Sequence, residues 1–317
     1  KVAPAIAAGT NIVLKPSEKT PLTALKLGEI IRDIIPPGMV NIITGYPVQE
    51  VVQQLVAYPG VELVTFTGGV DVGKSIIQMM DNNGKELTKR VMELGGSSAL
   101  YIADDADLDL AAKVALSTFD NCGQRCTATR RIFIDNKIAD AFIQKFSLLA
   151  SQLKYGEPFD EKMNMGCLIS ENAAMEIQRR VNLAIQQGAT LVYGNIRRGA
   201  VYSPTILDHV DPSAEIVQKE TFGPVASLIR VENTAEAIAT INLSRYRLAG
   251  AIITQNEKLA KEVSHHIRVG QFNWNGPPSY RTERAPFGGF GDSGNYEKEG
   301  VIEAVKSMRL IRTFYTH

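Results

Sequence analysis

The chain has 317 residues, with 34 basic and 34 acidic side chains and a formal net charge of zero. That length predicts one large or two medium domains with room for hydrophobic cores, and the balanced charge argues against general nucleic-acid or membrane-surface binding. Apolar runs fall short of the roughly 18 residues a membrane span needs, and Lys1-Val2-Ala3-Pro4 does not open a signal peptide.

The first ninety or so residues alternate strand and helix signals. Asn11-Ile12-Val13-Leu14 reads as a buried strand, and Thr20-Pro21 as the N-cap and first position of a helix that runs to about Ile35. Pro36-Pro37-Gly38 stops it. Val40–Ile43 is the next strand and Val48–Ala57 a short helix. Leu63–Phe66 is a third strand, followed by a glycine-bearing turn and a helix from about Gly73. Alternation at this spacing implies right-handed crossovers and a parallel sheet.

A second α/β region follows. Helices are expected at Leu108–Ser117, Ile138–Leu153, Ala173–Gln187, Ala235–Asn242 and Lys258–Val263, and strands at Arg131–Ile134, Val225–Val231, Ala249–Thr254 and Gly270–Asn273. Met308–Phe314 reads as a β-rich tail. Three Cys, an odd number in a long chain, suit a reducing, cytoplasmic setting and one reactive thiol better than a disulfide framework. The four scattered His show no metal-ligand spacing.

Six segments carry chemistry. In Asn121-Cys122-Gly123-Gln124-Arg125-Cys126-Thr127, Cys126 sits among small and polar residues where substrate can reach it, and a thiolate there needs a positive field. In Val91-Met92-Glu93-Leu94-Gly95-Gly96, a carboxylate ends an apolar strand, where desolvation would raise its pKa toward the range of a general base. Phe66-Thr67-Gly68-Gly69-Val70-Asp71-Val72-Gly73 runs a strand into a glycine turn and a helix N-terminus, a place for a diphosphate. It has neither GxGxxG spacing nor a Walker pattern. Lys15-Pro16-Ser17-Glu18 could hold ribose hydroxyls. Glu220-Thr221-Phe222-Gly223-Pro224 and Pro286-Phe287-Gly288-Gly289 are glycine-bearing loops. Taken singly, each also suits a plain turn or a packed side chain.

In this order and spacing the six segments resemble the aldehyde dehydrogenase superfamily; the interval from Glu93 to Cys126, 126 − 93 = 33, is the family's usual one. The resemblance covers essentially the whole chain. It implies an α/β fold with a Rossmann-like dinucleotide-binding part over 1–94, a catalytic part over 95–284, and a return segment with an oligomerisation strand over 285–317 in a homodimer or homotetramer. It implies that Cys126 attacks an aldehyde to form a thiohemiacetal, that hydride passes to NAD (NADP being possible), and that Glu93 activates water to hydrolyse the thioester. Lys15 and Glu18 would hold the adenosine ribose. Gly68, Gly69, Gly73 and Leu94 would line the cofactor turn, and Glu220 and Phe222 would flank the nicotinamide ribose.

Three departures stand out. No Pro-Trp-Asn motif occurs, so the resemblance implies an N-terminally truncated chain lacking one oxyanion donor, with impaired turnover; a fragment limited to binding or scaffolding is the alternative expectation. Gly69 stands where many members carry Ser, and Gly291 where Lys is common. The Gly-Gln-Arg-Cys-Thr form resembles members that take small anionic aldehydes, with Arg125 and Arg281 as anion contacts. Glu18 favours NAD over NADP by repelling a 2′-phosphate. A coenzyme-A-acylating enzyme is the rival, and it would not need Glu93.

Overall fold

A computed structural model describes all residues 1–317. The chain forms two compact units. One holds Lys1–Leu94, Thr282–Gly288 and Asn295–His317; the other holds Gly95–Arg281 and Gly289–Gly294.

In the first unit the order is α1 (Val2–Ala8), β1 (Ile12–Leu14), α2 (Pro21–Ile31), β2 (Val40–Ile42), α3 (Val48–Ala57), β3 (Leu63–Thr67), α4 (Val70–Asp81) and β4 (Lys89–Glu93). The expected parallel strands pair two by two: β1 with β2, and β3 with β4, where Thr67 lies opposite Glu93. Pro21 opens α2 behind Thr20 as the sequence implied, although the Thr20 side chain caps no N–H. The helix stops at Ile31, four residues short of Ile35. The helix after β3 starts at Val70 rather than near Gly73, with Gly69 as its N-cap.

The second unit continues with β5 (Ser98–Ile102), α5 (Leu108–Ala115), β6 (Thr129–Asp135), α6 (Ala139–Ser151), α7 (Glu171–Gln186), β7 (Thr190–Tyr193), β8 (Arg197–Arg198), β9 (Val201–Tyr202), β10 (Thr205–Asp208), α8 (Glu215–Gln218), β11 (Val225–Val231), α9 (Thr234–Asn242), β12 (Tyr246–Arg247), β13 (Ala249–Ile253), α10 (Glu257–His266), β14 (Gln271–Trp274) and β15 (Phe290–Gly291). Seven of these strands form one sheet in the order β14-β13-β5-β6-β11-β10-β7, parallel except for the β10–β7 pair. Its central strands β5, β6 and β13 are buried along their whole length. Strands covered on both faces read as continuous apolar runs rather than alternating ones. Side-chain caps start the surrounding helices: Asp107 accepts from the N–H groups of Asp109 and Leu110, Ser170 from Ala173, Asn233 from Glu236 and Asn256 from Leu259.

The core of this unit runs through Leu100, Ile102, Ile132, Phe133, Ile134, Leu228 and Ile252 of the sheet and Phe142 and Phe146 of α6. Phe146 stacks on Phe142 at 5.5 Å and on Phe119 at 5.8 Å between ring centroids. Phe119 leads into the turn that carries Cys122 and Cys126, so this aromatic stack anchors that turn from below. Truncating a fully buried phenylalanine forfeits its transfer energy and leaves a cavity. Phe146→Ala is expected to cost about 3–5 kcal/mol, read as a lower urea midpoint at unchanged slope; a loss under about 1 kcal/mol would show that the stack can collapse around the gap.

Seven strands escape the sequence reading: β5, which follows Gly95-Gly96-Ser97 and looks like a turn, and the short β7, β8, β9, β10, β12 and β15. The helix α11 (Val301–Ser307) returns to the first unit, where Thr10 Oγ1 donates to the Met308 carbonyl at 2.9 Å and Lys1 Nζ pairs with Glu299 at 2.5 Å. The tail 308–314, expected as a strand that joins a partner subunit, has no strand partner within the chain. It forms no strand, and Leu310, Ile311 and Phe314 are exposed. An extended segment becomes a strand only where a neighbouring backbone completes its hydrogen-bond ladder, and no strand of this chain does so here. No helix is long and apolar enough to cross a membrane.

Candidate active site

The first unit carries Lys15, Glu18, Gly68, Gly69, Gly73 and Leu94, expected at the cofactor, and Glu93, expected as the base. Lys15 and Glu18 leave the C-terminal end of β1 together: Lys15 Nζ lies 3.9 Å from Glu18 Oε2 and donates to the Pro16 carbonyl at 2.7 Å. At the end of β3 the Gly68 N–H donates to the Glu93 carbonyl at 3.1 Å, which ties the glycine turn to β4. A Cβ on Gly69 would meet nothing within 4 Å, so the missing Ser side chain leaves open space at the N-terminus of α4. Gly73 lies inside α4, where a Cβ would come within 2.5 Å of Leu94 Cδ2. Its service is close helix–strand packing, which brings the helix N-terminus to the strand end. The carboxyl ends of parallel strands, one leading into the Lys15–Glu18 pair and another into the N-terminus of α4, are where a dinucleotide is held in folds of this class.

Glu93 ends β4 and is 3% exposed. The loop 286–288 wraps it: a Cβ on Gly288 would sit 2.6 Å from Glu93 Oε1, and Gly288 holds a positive φ of 155°. This is why the Pro-Phe-Gly-Gly segment needs glycine here; any side chain would displace the carboxylate. Lys298 Nζ donates to the Gly288 carbonyl from the same side. Burial pushes the Lys298 ammonium below the usual lysine range, and the Glu93 charge opposes part of that shift.

The second unit carries the thiol. Asn121, Cys122 and Gly123 lie consecutively in the left-handed region, with φ of 51°, 58° and 67°. A Cβ on Gly123 would meet the Gly223 carbonyl oxygen at 2.1 Å, so the turn and the Glu220–Pro224 loop close on each other through a glycine. Gln124 clasps a third segment, donating to the Cys167 carbonyl and accepting from the Ile169 N–H at 2.8 Å. The chain emerges with Cys126 half-buried and Arg125 exposed. A Cβ on Gly96 would come within 2.3 Å of the Cys126 carbonyl oxygen. None of the three cysteines is in a disulfide, but burial pushes the Cys122 thiol up to about 12, which leaves it protonated and inert at neutral pH.

Glu220 is folded down against the two glycines before β5: its Oε1 accepts from the Gly96 N–H at 3.0 Å, and a Cβ on Gly95 would meet Oε2 at 2.2 Å. The Arg130 guanidinium, missed by the sequence reading, lies 3.6 Å from the same carboxylate and 5.3 Å from the Phe222 ring centre. Phe222 itself is 43% exposed. The one signal for Arg130 was a doublet, Arg130-Arg131, inside an otherwise apolar strand. Arg281 is exposed at the end of this unit.

Comparison with known proteins gives a consistent picture. The model of the aldehyde dehydrogenase family matches residues 1–314. A 3-sulfolactaldehyde dehydrogenase of Priestia megaterium is 34% identical over 310 residues, covering 97% of this chain and 64% of the relative. Among solved structures, an NADP-dependent glyceraldehyde-3-phosphate dehydrogenase of Bacillus halodurans complexed with NADP superposes with a TM-score of 0.92 at 34% identity, covering 97% of this chain and 63% of its own. A betaine aldehyde dehydrogenase of Staphylococcus aureus in complex with NAD+ superposes at 0.91 with 35% identity, covering 97% and 62%. The chain thus spans a little under two thirds of the length of the relatives it matches.

Proposed function

The chain belongs to the aldehyde dehydrogenase family, and from that premise we propose that it oxidises a small aldehyde to the carboxylic acid, with Cys126 as nucleophile and Glu93 as base. NAD(P), when bound, supplies the hydride acceptor; Lys15, Glu18, the Gly68–Gly69 turn, Glu220 and Phe222 are the residues that would hold it. The Cys126 sulfur adds to the aldehyde carbon and makes a thiohemiacetal, whose oxyanion the Cys126 backbone N–H stabilises. After loss of hydride from that carbon, the acyl group stays on the sulfur as a thioester. Glu93 takes a proton from the water that attacks the acyl carbon, the carbon–sulfur bond breaks, and the acid leaves.

The observation that carries this reading is the turn at 121–126. A strained, glycine-locked backbone presents one accessible thiol beside a buried guanidinium, while the neighbouring Cys122 is sealed in the core. Strain of that kind is kept where geometry serves chemistry. The buried Glu93 favours hydrolysis over transfer to coenzyme A, which would not use a base to activate water. NAD or NADP reduction should therefore follow aldehyde addition with no need of coenzyme A. Turnover that requires coenzyme A, or none with any aldehyde of a broad panel, would overturn the reading.

The substrate class proposed is an anionic aldehyde. Arg125 is exposed and immediately precedes the nucleophile, and two of the relatives are named for aldehydes bearing a sulfonate and a phosphate. A guanidinium binds either group bidentately. Arg125→Ala should raise KM for anionic aldehydes by about 10-fold to 100-fold, with little change for neutral ones; equal effects on both classes would remove the anion contact. Arg281, likewise exposed, is the second candidate contact.

A further inference from the structure

The Arg130 side chain is the largest polar investment in the second unit that the reaction scheme leaves unused. The residue is 2% exposed, on a strand buried throughout. A guanidinium is not placed in such a site unless its N–H donors and its charge are matched. Its donors converge on one short loop and its neighbour. Nη2 donates to the Gly123 carbonyl at 3.2 Å and the Arg125 carbonyl at 2.9 Å; Nη1 donates to the Ala128 carbonyl at 3.1 Å; Nε donates to the Thr221 carbonyl at 2.8 Å. Three of these four carbonyls bracket Cys126, two before it and one after. The loop is therefore wound around the positive charge, with the nucleophile in the winding.

We propose that Arg130 is the positioning residue of the nucleophile turn: its fork fixes the backbone on both sides of Cys126, and its charge favours the thiolate. The inference rests on Cys126 being the reactive thiol. A thiolate is the nucleophilic form, and a nearby cation raises its share at a given pH. Burial pushes the Arg130 guanidinium below the usual arginine range, and the charges of Glu220, Cys126 and Tyr246, in that order, oppose that shift. Glu220 competes for the Arg130 charge from 3.6 Å, while the neighbouring cation Arg125 is exposed and acts on the Asp120 carboxylate. The next residue serves as an internal contrast. Arg131 is equally buried, but its side chain leaves the other face of β6, donating to the Ser97 and Ile241 carbonyls. Burial pushes it down to about 10, with no acidic group opposing the shift.

The test is the pH dependence of Cys126 alkylation by iodoacetamide in the full 317-residue chain, read at the Cys126 peptide by mass spectrometry. In Arg130→Met the midpoint should rise by about one unit or more. In Arg130→Lys, which keeps the charge and loses the fork, it should stay near that of the parent, while maximal turnover falls. Arg131→Lys should leave the midpoint in place. An unmoved midpoint in Arg130→Met, or an equal rise in Arg130→Lys, overturns the proposal. Should Arg130→Met fail to fold by circular dichroism, Glu220→Gln decides: removing the competing carboxylate should lower the midpoint, and no shift overturns the idea. Failure of the parent reading is seen separately, because Cys126→Ser would then retain aldehyde oxidation whatever the alkylation profile shows.

Discussion

Cys126→Ser is expected to lower aldehyde oxidation by about 10⁵-fold while leaving the fold intact. Removing a covalent nucleophile on which every later step depends typically costs that order. A serine hydroxyl fits the same half-buried position, but it is scarcely ionised at neutral pH and has no adjacent base equivalent to the thiol's own acidity. The neighbouring sulfur cannot take over. Cys122 lies in the core at 2% exposure, and burial holds its thiol protonated up to about pH 12. Steady-state turnover with the best aldehyde of the panel, together with an unchanged thermal midpoint, checks this. Activity within about tenfold of the parent would remove Cys126 from the mechanism.

Glu93→Gln separates the two chemical steps. In the proposed scheme the first reduction of cofactor requires the sulfur, and release of the acid requires an activated water. Loss of a general base typically slows its step by about 10²-fold to 10⁴-fold. The expected result on rapid mixing is one equivalent of reduced cofactor per chain, followed by a steady rate lower by that factor. Glutamine keeps the shape of a side chain packed under Gly288, so stability should change little, and Lys298, on which the Glu93 charge acts, keeps its bond to the Gly288 carbonyl. If the initial burst and the steady rate fell together, Glu93 would act before the thioester, and its assignment to water activation would be wrong.

Much of the site was legible because its signals are local. Glu93 before Gly95-Gly96, the Gly68-Gly69 turn after β3, and Cys126 after Gly123 each combine a strand or turn end with a residue whose backbone freedom or side-chain chemistry is unusual. Lys15 and Glu18 are three apart, so a single turn suffices to bring them within 3.9 Å. Resemblance to a known family then ordered these fragments into one reaction, which no single fragment could do.

Other features depend on contacts that local pattern does not encode. The strand β5 begins at Ser98, straight after Gly95-Gly96-Ser97, and reads as loop; pairing between β13 and β6 makes it a strand. The need for glycine at 288 follows from Glu93, far away in the chain. The helix ending at Ile31 and the unpaired tail at 308–314 show the converse: an apolar pattern states what a segment could bury or pair with, and the packing states whether it does.

By itself, then, the amino-acid order determined the α/β alternation and the glycine turns, and it singled out the thiol and the carboxylate proposed for the reaction, since these follow from periodicity, backbone freedom and side-chain chemistry over a few residues. The tertiary structure alone decided that Arg130 points into the nucleophile turn while Arg131 points away, and that Gly123 meets the Gly223 carbonyl. It also decided that Glu220 lies on Gly95 and Gly96. Those outcomes depend on which distant backbone carbonyls and carboxylates surround a buried group, and only close packing of the finished sheet brings them within hydrogen-bond range.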